Sequence, residues 1–273
     1  MRNTCDSVGG DLRALLDPLA EFTRTDKSSR VRNAWTAELT VVATFTAGNR
    51  VYEIPRVRFV GPIAGHDPIK LAFFGGIHGD EPAGAAALIQ LVAELSRKPE
   101  RAAGYELDFF PVVNPSGYAS GTRANHAGKD LNREFWRNST EVEVRCIESE
   151  LRARRFDGIV TLHADDTCEG VYGYAHGRTL NEALLVPALR AAGEFLPIDR
   201  RAMIDGFAAC EGLIHECFGG VLSAPAEQRP QPFDIIFETP AHAPFDLQVS
   251  ATVAALESIM ASYPGFISYA QGL

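Results

Sequence analysis

Ile69-Lys70-Leu71-Ala72-Phe73-Phe74-Gly75-Gly76-Ile77-His78-Gly79-Asp80-Glu81-Pro82 decides the fold. Ile69 to Phe74 is a near-continuous apolar run, the pattern of a strand covered on both faces. Two glycines then permit a tight turn, and Pro82 opens an Ala/Leu-rich stretch, Ala83 to Leu95, as a first-turn helix proline does. The same rhythm continues downstream. Leu107 to Val113 reads as a buried strand closed by Asn114-Pro115-Ser116-Gly117, and Glu141 to Arg154 as a helix. Strand Gly158 to Leu162, helix Leu180 to Phe195, strand Ile235 to Phe237 and helix Leu247 to Met260 follow. Upstream, Ala37 to Phe45 and Val51 to Val60 flank Ala47-Gly48-Asn49 and predict a hairpin with Pro55 at an edge or bulge. Alternating strands and helices predict an α/β, doubly wound, mostly parallel or mixed central sheet with helices on both faces. Residues 1 to about 35 read as a polar N-terminal cap with a helix candidate at Leu12 to Phe22. Residues 36–273 read as one α/β domain.

The 273 residues carry 26 Lys and Arg against 35 Asp and Glu, a net charge of −9. That balance argues against a nucleic-acid surface and against attraction to an anionic membrane. No apolar run reaches the roughly 18 residues of a membrane span, and the first residues lack the apolar core of a signal peptide. The five cysteines (Cys5, Cys146, Cys168, Cys210 and Cys217) are odd in number and scattered, which suits a reducing compartment. The expectation is a cytoplasmic protein.

In such a sheet, ligands bind beyond the carboxyl ends of the strands. The polar residues that follow each apolar run are therefore the candidates. They are His78 and Glu81 after the first run, Arg123, Asn132 and Arg133 in the loop after the second, His163 after the third and Glu238 after the last. His78 and Glu81, three apart at a helix opening, share a face and can converge on one cation. His163 is the natural third ligand, since catalytic zinc takes three protein ligands, and two His with one Glu is a known set. Taken singly, His78 fits a turn cap, Glu81 a first-turn acid favoured by the helix dipole, and His163 a buried core histidine.

The order of motifs resembles that of the zinc carboxypeptidase family: His78-x-x-Glu81, Asn114-Pro115-x-Gly117, Arg123 before Asp130-Leu131-Asn132-Arg133-x-Phe135, a lone His163 and a late Glu238. The wording around His78 is similar to the succinylglutamate desuccinylase/aspartoacylase branch and to bacterial murein peptide amidases. The resemblance implies a zinc exopeptidase-like fold with His78, Glu81 and His163 as zinc ligands and residues 36–273 as the catalytic domain. It also implies Arg123 on the scissile carbonyl, Asn132 and Arg133 on a substrate carboxylate, and Glu238 as general base and acid. The activity implied is hydrolysis of an amide bond next to a free carboxylate, in a small peptide or, alternatively, an N-acyl amino acid. A non-catalytic binding protein on the same fold is the rival from another class.

Several residues stay outside that pattern. Arg133 and Glu238 each have a plain surface reading, Arg133 as the partner of Asp130 or Glu134. Asp165 and Asp166 fit either support of His163 or a turn cap. Cys210, His215 and Cys217 match no zinc spacing and read as buried thiols and an ordinary histidine; His66, His126, His176 and His242 read likewise as ordinary. Phe218 to Phe237 holds no tyrosine, where pancreatic-type carboxypeptidases place a mobile one, so that role falls to no residue. The loop Gly219 to Pro232, with Arg229, is the expected place for side-chain specificity. A phosphate-binding loop on Gly75-Gly76 fails for want of the Gly-Lys-Ser/Thr ending.

Overall fold

A computed structural model describes residues 10–21, 34–65 and 67–271. Helix α1 (Leu12–Leu16) precedes strands β1 (Thr36–Ala47), β2 (Arg50–Val60) and β3 (Ile69–Phe74), then helix α2 (Pro82–Arg97). Strand β4 (Tyr105–Phe110), helices α3 (Pro115–Ser120) and α4 (Val142–Arg154), and strands β5 (Gly158–Asp165) and β6 (Tyr172–Ala175) follow. Helices α5 (Arg178–Leu180) and α6 (Val186–Ala192) lead to short strands β7 (Met203–Ile204), β8 (Phe207–Cys210) and β9 (Leu213–Ile214). Strand β10 (Phe233–Pro240) and helix α7 (Phe245–Gln271) close the order.

These strands form a mixed sheet in the order β1-β2-β4-β3-β5-β10-β6-β9-β8-β7. Its centre, β4-β3-β5-β10, is parallel, as apolar runs joined by helical crossovers require. Successive side chains of β3 go to opposite faces. Leu71 and Phe73 pack with Leu88 of α2, Leu189 of α6 and Leu256 of α7; Ala72 and Phe74 pack with Val144, Ile147 and Leu151 of α4. In register with β4, Phe73 stacks on Phe109 and Phe74 on Phe110, with ring centroids 5.2 and 4.8 Å apart. Burying one such ring contributes about 1.5–3 kcal/mol. This double covering makes the strand ends stiff enough to carry a site.

The expected α/β class and helices on both faces are observed, with local differences. β4 stops at Phe110 rather than Val113, because Pro111 has no N–H to continue the ladder. The helix expected over Leu180 to Phe195 is three pieces, including a π-turn at Asn181–Leu185 just before α6, which carries Pro187 in its first turn. The helix expected from Leu12 ends at Leu16 and passes into a 3₁₀ turn containing Pro18, while Phe22 lies outside the described residues, as do most of the expected cap, Cys5 and His66. β5, β10 and α7 run longer than expected, and β6 to β9 are too short to register as periodicity. Pro55 pairs with Val41 where the β1–β2 register shifts, so it sits at a bulge rather than an edge. No helix among the described residues is long and apolar enough to cross a membrane.

Candidate metal centre and active site

The chain leaves β3 through Gly75 and Gly76, the latter at φ 55°, a left-handed conformation that glycine adopts without cost. The N–H groups of Val113 and Asn114 donate to the carbonyls of Gly75 and Gly76, at 3.1 and 2.8 Å, tying this turn to the end of β4. A Cβ on Gly79 would lie 1.9 Å from the backbone carbon of Gly117, so only glycine fits at position 79. The result holds His78 and Glu81 side by side, 3% and 7% exposed, facing His163 of β5 at 6%.

The three side chains converge. His78 Nδ1 lies 2.6 Å from Glu81 Oε1, His163 Nδ1 lies 3.0 Å from Glu81 Oε2, and the two Nδ1 atoms are 3.2 Å apart. Two imidazole nitrogens and a carboxylate aimed at one another are poorly matched as mutual hydrogen-bonding partners. They match the edges of a tetrahedron around a divalent ion, about 3.4 Å at a metal–nitrogen distance of about 2.1 Å. Among the described residues this is the group of three or more His, Cys, Asp or Glu side chains able to share an ion, so the residues present fit a metal. Cys210, His215 and Cys217 form no such group, and Cys210 is exposed rather than buried.

The next layer of contacts fixes these side chains. Asp130 Oδ1 lies 3.1 Å from His78 Nε2 and accepts the N–H of Asn132 at 2.9 Å, while its Oδ2 accepts Arg123 Nε at 3.1 Å. Asp130 therefore orients His78, starts the 3₁₀ turn bearing Asn132 and Arg133, and positions Arg123. The sequence reading gave it none of these tasks. Glu81 Oε2 also accepts the N–H of Ala164 at 3.1 Å. Asn132 Oδ1 accepts the N–H of Leu222 at 2.9 Å, and its Nδ2 lies 3.3 Å from His163 Nε2. Arg133 donates to the Asn132 carbonyl at 2.8 Å and sits 4.5 Å above the Phe218 ring, with no ion pair to Asp130 or Glu134.

Glu238 stands beside His163 in the parallel β10–β5 register. All seven sequence candidates, His78, Glu81, Arg123, Asn132, Arg133, His163 and Glu238, line one cavity of about 590 Å³. Tyr172 and Tyr174 line it too: β6 pairs antiparallel with β10 and sets Tyr172 opposite Glu238. Asp165 caps the turn at Thr167 and accepts the Tyr172 hydroxyl at 3.0 Å, so of its two readings the turn cap is observed. Arg229 points to the carbonyls of Ala226 and Gln228 and lines neither this cavity nor its neighbour.

Charge follows from this crowding. Burial, together with the carboxylates of Glu81, Asp165 and Asp205, pushes Glu238 well above the usual carboxylate range. Burial opposes ionisation of Glu81, but His163 and His78 outweigh it and bring Glu81 down to about 2. Burial lowers His163, the direction that keeps an imidazole lone pair free for a cation.

Residues 67–172 match the succinylglutamate desuccinylase/aspartoacylase catalytic domain. That span contains every candidate except Glu238. Carboxypeptidase SOL1 of Arabidopsis thaliana is 31% identical over 107 residues, covering 33% of this chain and 22% of the plant protein, about a fifth of its length. A candidate metallopeptidase structure from Shewanella denitrificans superposes with a TM-score of 0.74 at 22% identity, covering 92% of this chain and 90% of that one. A metallo-carboxypeptidase from Burkholderia cenocepacia gives 0.69 at 15% identity, covering 94% and 70%. A succinylglutamate desuccinylase from a Silicibacter species gives 0.55 at 16%, covering 82% and 66%. The chain shares the metallocarboxypeptidase fold, and the resemblance read from its motifs holds.

Proposed function

We propose that the protein is a zinc-dependent hydrolase of the amide bond next to a free carboxylate in a small peptide, a carboxypeptidase or peptide amidase. The observation that carries this reading is the convergence of His78, Glu81 and His163 beside Glu238 in one cavity. The match over residues 67–172 favours a second substrate type, N-acyl amino acids; the amide chemistry is the same. His78, Glu81 and His163 would hold a zinc ion, which would supply Lewis acidity to the carbonyl and to water.

The remaining work belongs to the chain. Glu238 takes a proton from the attacking water and delivers it to the departing nitrogen. Arg123, held by Asp130 and half exposed to the cavity, meets the negative charge growing on the carbonyl oxygen. Arg133 presents a planar fork to the substrate carboxylate, and Asn132 offers its amide N–H. The free thiols Cys146, Cys168, Cys210 and Cys217 support a cytoplasmic setting.

The test is a panel of C-terminal peptides, N-acyl amino acids and muropeptides assayed with and without zinc. Zinc-dependent release of an amino acid is expected, with Glu238→Gln keeping its metal and losing about 10³-fold or more in kcat/KM. A fully active Glu238→Gln protein removes Glu238 from the chemistry. No product from any member leaves the binding-protein alternative.

A further inference from the structure

Two guanidiniums line the main cavity, Arg123 and Arg133, and they are held in opposite ways. Arg123 is gripped along its edges by carboxylates: its Nε donates to Asp130 Oδ2 at 3.1 Å and its Nη1 to Glu81 Oε1 at 3.4 Å. The Arg133 side chain forms no ion pair among the described residues; its Nη1 donates to the Asn132 carbonyl at 2.8 Å, and its central carbon lies 4.5 Å from the centroid of the Phe218 ring. Phe207 of β8 meets that ring edge to face, with centroids 4.9 Å apart. Both rings line the cavity.

A strap of hydrogen bonds brings the Phe218 ring there. The Leu222 N–H donates to Asn132 Oδ1 at 2.9 Å, the Phe135 N–H to the Gly220 carbonyl at 3.1 Å, and Trp136 Nε1 to the Ser223 carbonyl at 3.0 Å. A Cβ on Gly220, at φ 82°, would lie 2.4 Å from the Arg133 carbonyl oxygen, so the two segments meet main chain to main chain. The consequence for Arg133 is chemical. The N–H donors of a guanidinium lie in its plane. A protein carboxylate would occupy one edge of that plane, whereas a ring holds the flat face and leaves the edges open. An arginine that takes a ligand carboxylate through two parallel hydrogen bonds needs such an open edge.

We infer that Phe218 is the positioning residue of Arg133: its ring holds the guanidinium by the face, keeps the donor edges free for a ligand carboxylate, and thereby sets a preference for a free acid over the corresponding amide. Phe207 backs the ring from β8, so the stack Phe207–Phe218–Arg133 ties the far, short-stranded side of the sheet to the turn after Asp130. The inference rests on the proposed role of Arg133 as carboxylate binder, but its test does not need turnover.

NMR titration of the zinc-loaded protein with pentanoate and with its uncharged isostere pentanamide decides it, in wild type, Arg133→Met, Phe218→Leu and Phe218→Tyr. Phe218 is 39% exposed, so Phe218→Leu keeps apolar bulk at little cost to the fold, and retained pentanamide binding verifies the fold. Pentanoate is expected to bind wild type about 10–100-fold more tightly than pentanamide, and Arg133→Met is expected to abolish that margin. Phe218→Leu is expected to cut the margin about 3–10-fold with pentanamide affinity unchanged, while Phe218→Tyr, which keeps the ring, retains it. A full margin in Phe218→Leu, an equal loss of both ligands there, or a Phe218→Tyr protein as poor as Phe218→Leu overturns the assignment of Phe218. A wild-type protein without a margin, or one that survives in Arg133→Met, overturns Arg133 as the carboxylate binder and the inference with it. A margin that depends on Phe218, without hydrolysis of any member of the substrate panel, overturns the reaction and leaves the positioning role.

Discussion

His78 shows how one side chain is oriented as a proposed ligand. Its Nδ1 faces Glu81 and His163, and its Nε2 faces Asp130 at 3.1 Å, which fixes the tautomer with the lone pair on the side of the proposed ion. Replacing Asp130 by Asn removes the charge while keeping the shape. Zinc affinity, read by competition with a chromophoric chelator, is expected to fall about 10–100-fold; unchanged affinity would mean that His78 is oriented without it. The convergence of these three side chains was legible in the sequence because each follows an apolar run at a strand end. Asp130 was not, since its partner lies 52 residues away in the chain and only the folded loop brings them together. Tyr172 escaped for a different reason: β6 has four residues, too few to mark a strand by alternation.

At the scale of elements, the turn from β3 into α2 carries two of the three proposed ligands, and its shape depends on Gly79 packing against the backbone of α3. A methyl at that position collides with main-chain atoms that cannot rotate away. Gly79→Ala is therefore expected to cost at least about 2 kcal/mol of stability in urea unfolding and to weaken zinc binding together with it; a variant as stable as wild type would show that the turn has room to spare. The strand-turn-helix unit was readable because sequence and structure here share one local cause, an apolar run, glycines and a proline at N1. The stretch over Leu180 to Phe195 misled because apolar spacing alone does not register Pro187, whose missing N–H interrupts the helical ladder and leaves a π-turn before α6. Helix α7 was underestimated for the converse reason, since Pro264 falls inside it without ending it.

Across the whole molecule, the parallel centre of the sheet gathers residues separated by up to 160 positions in the chain onto one rim: His78 and Glu81 from the end of β3, Arg123 to Arg133 from the loop after β4, His163 from β5 and Glu238 from β10. The edge convergence was legible from strand order alone, because ligand sites in open α/β sheets collect at the carboxyl ends. The width of the sheet was not, because its far side is built from two- to four-residue strands. An ion gripped by both β5 and the β3–α2 turn joins two distant segments, so binding it must stabilise the native state by mass action. The central claim is that His78, Glu81 and His163 hold a single divalent ion. Elemental analysis of protein equilibrated with zinc and freed of excess by gel filtration tests it most directly. About one zinc per chain is expected in wild type and close to none in His163→Ala; a wild-type protein without zinc, or a His163→Ala protein that keeps its full complement, would contradict it.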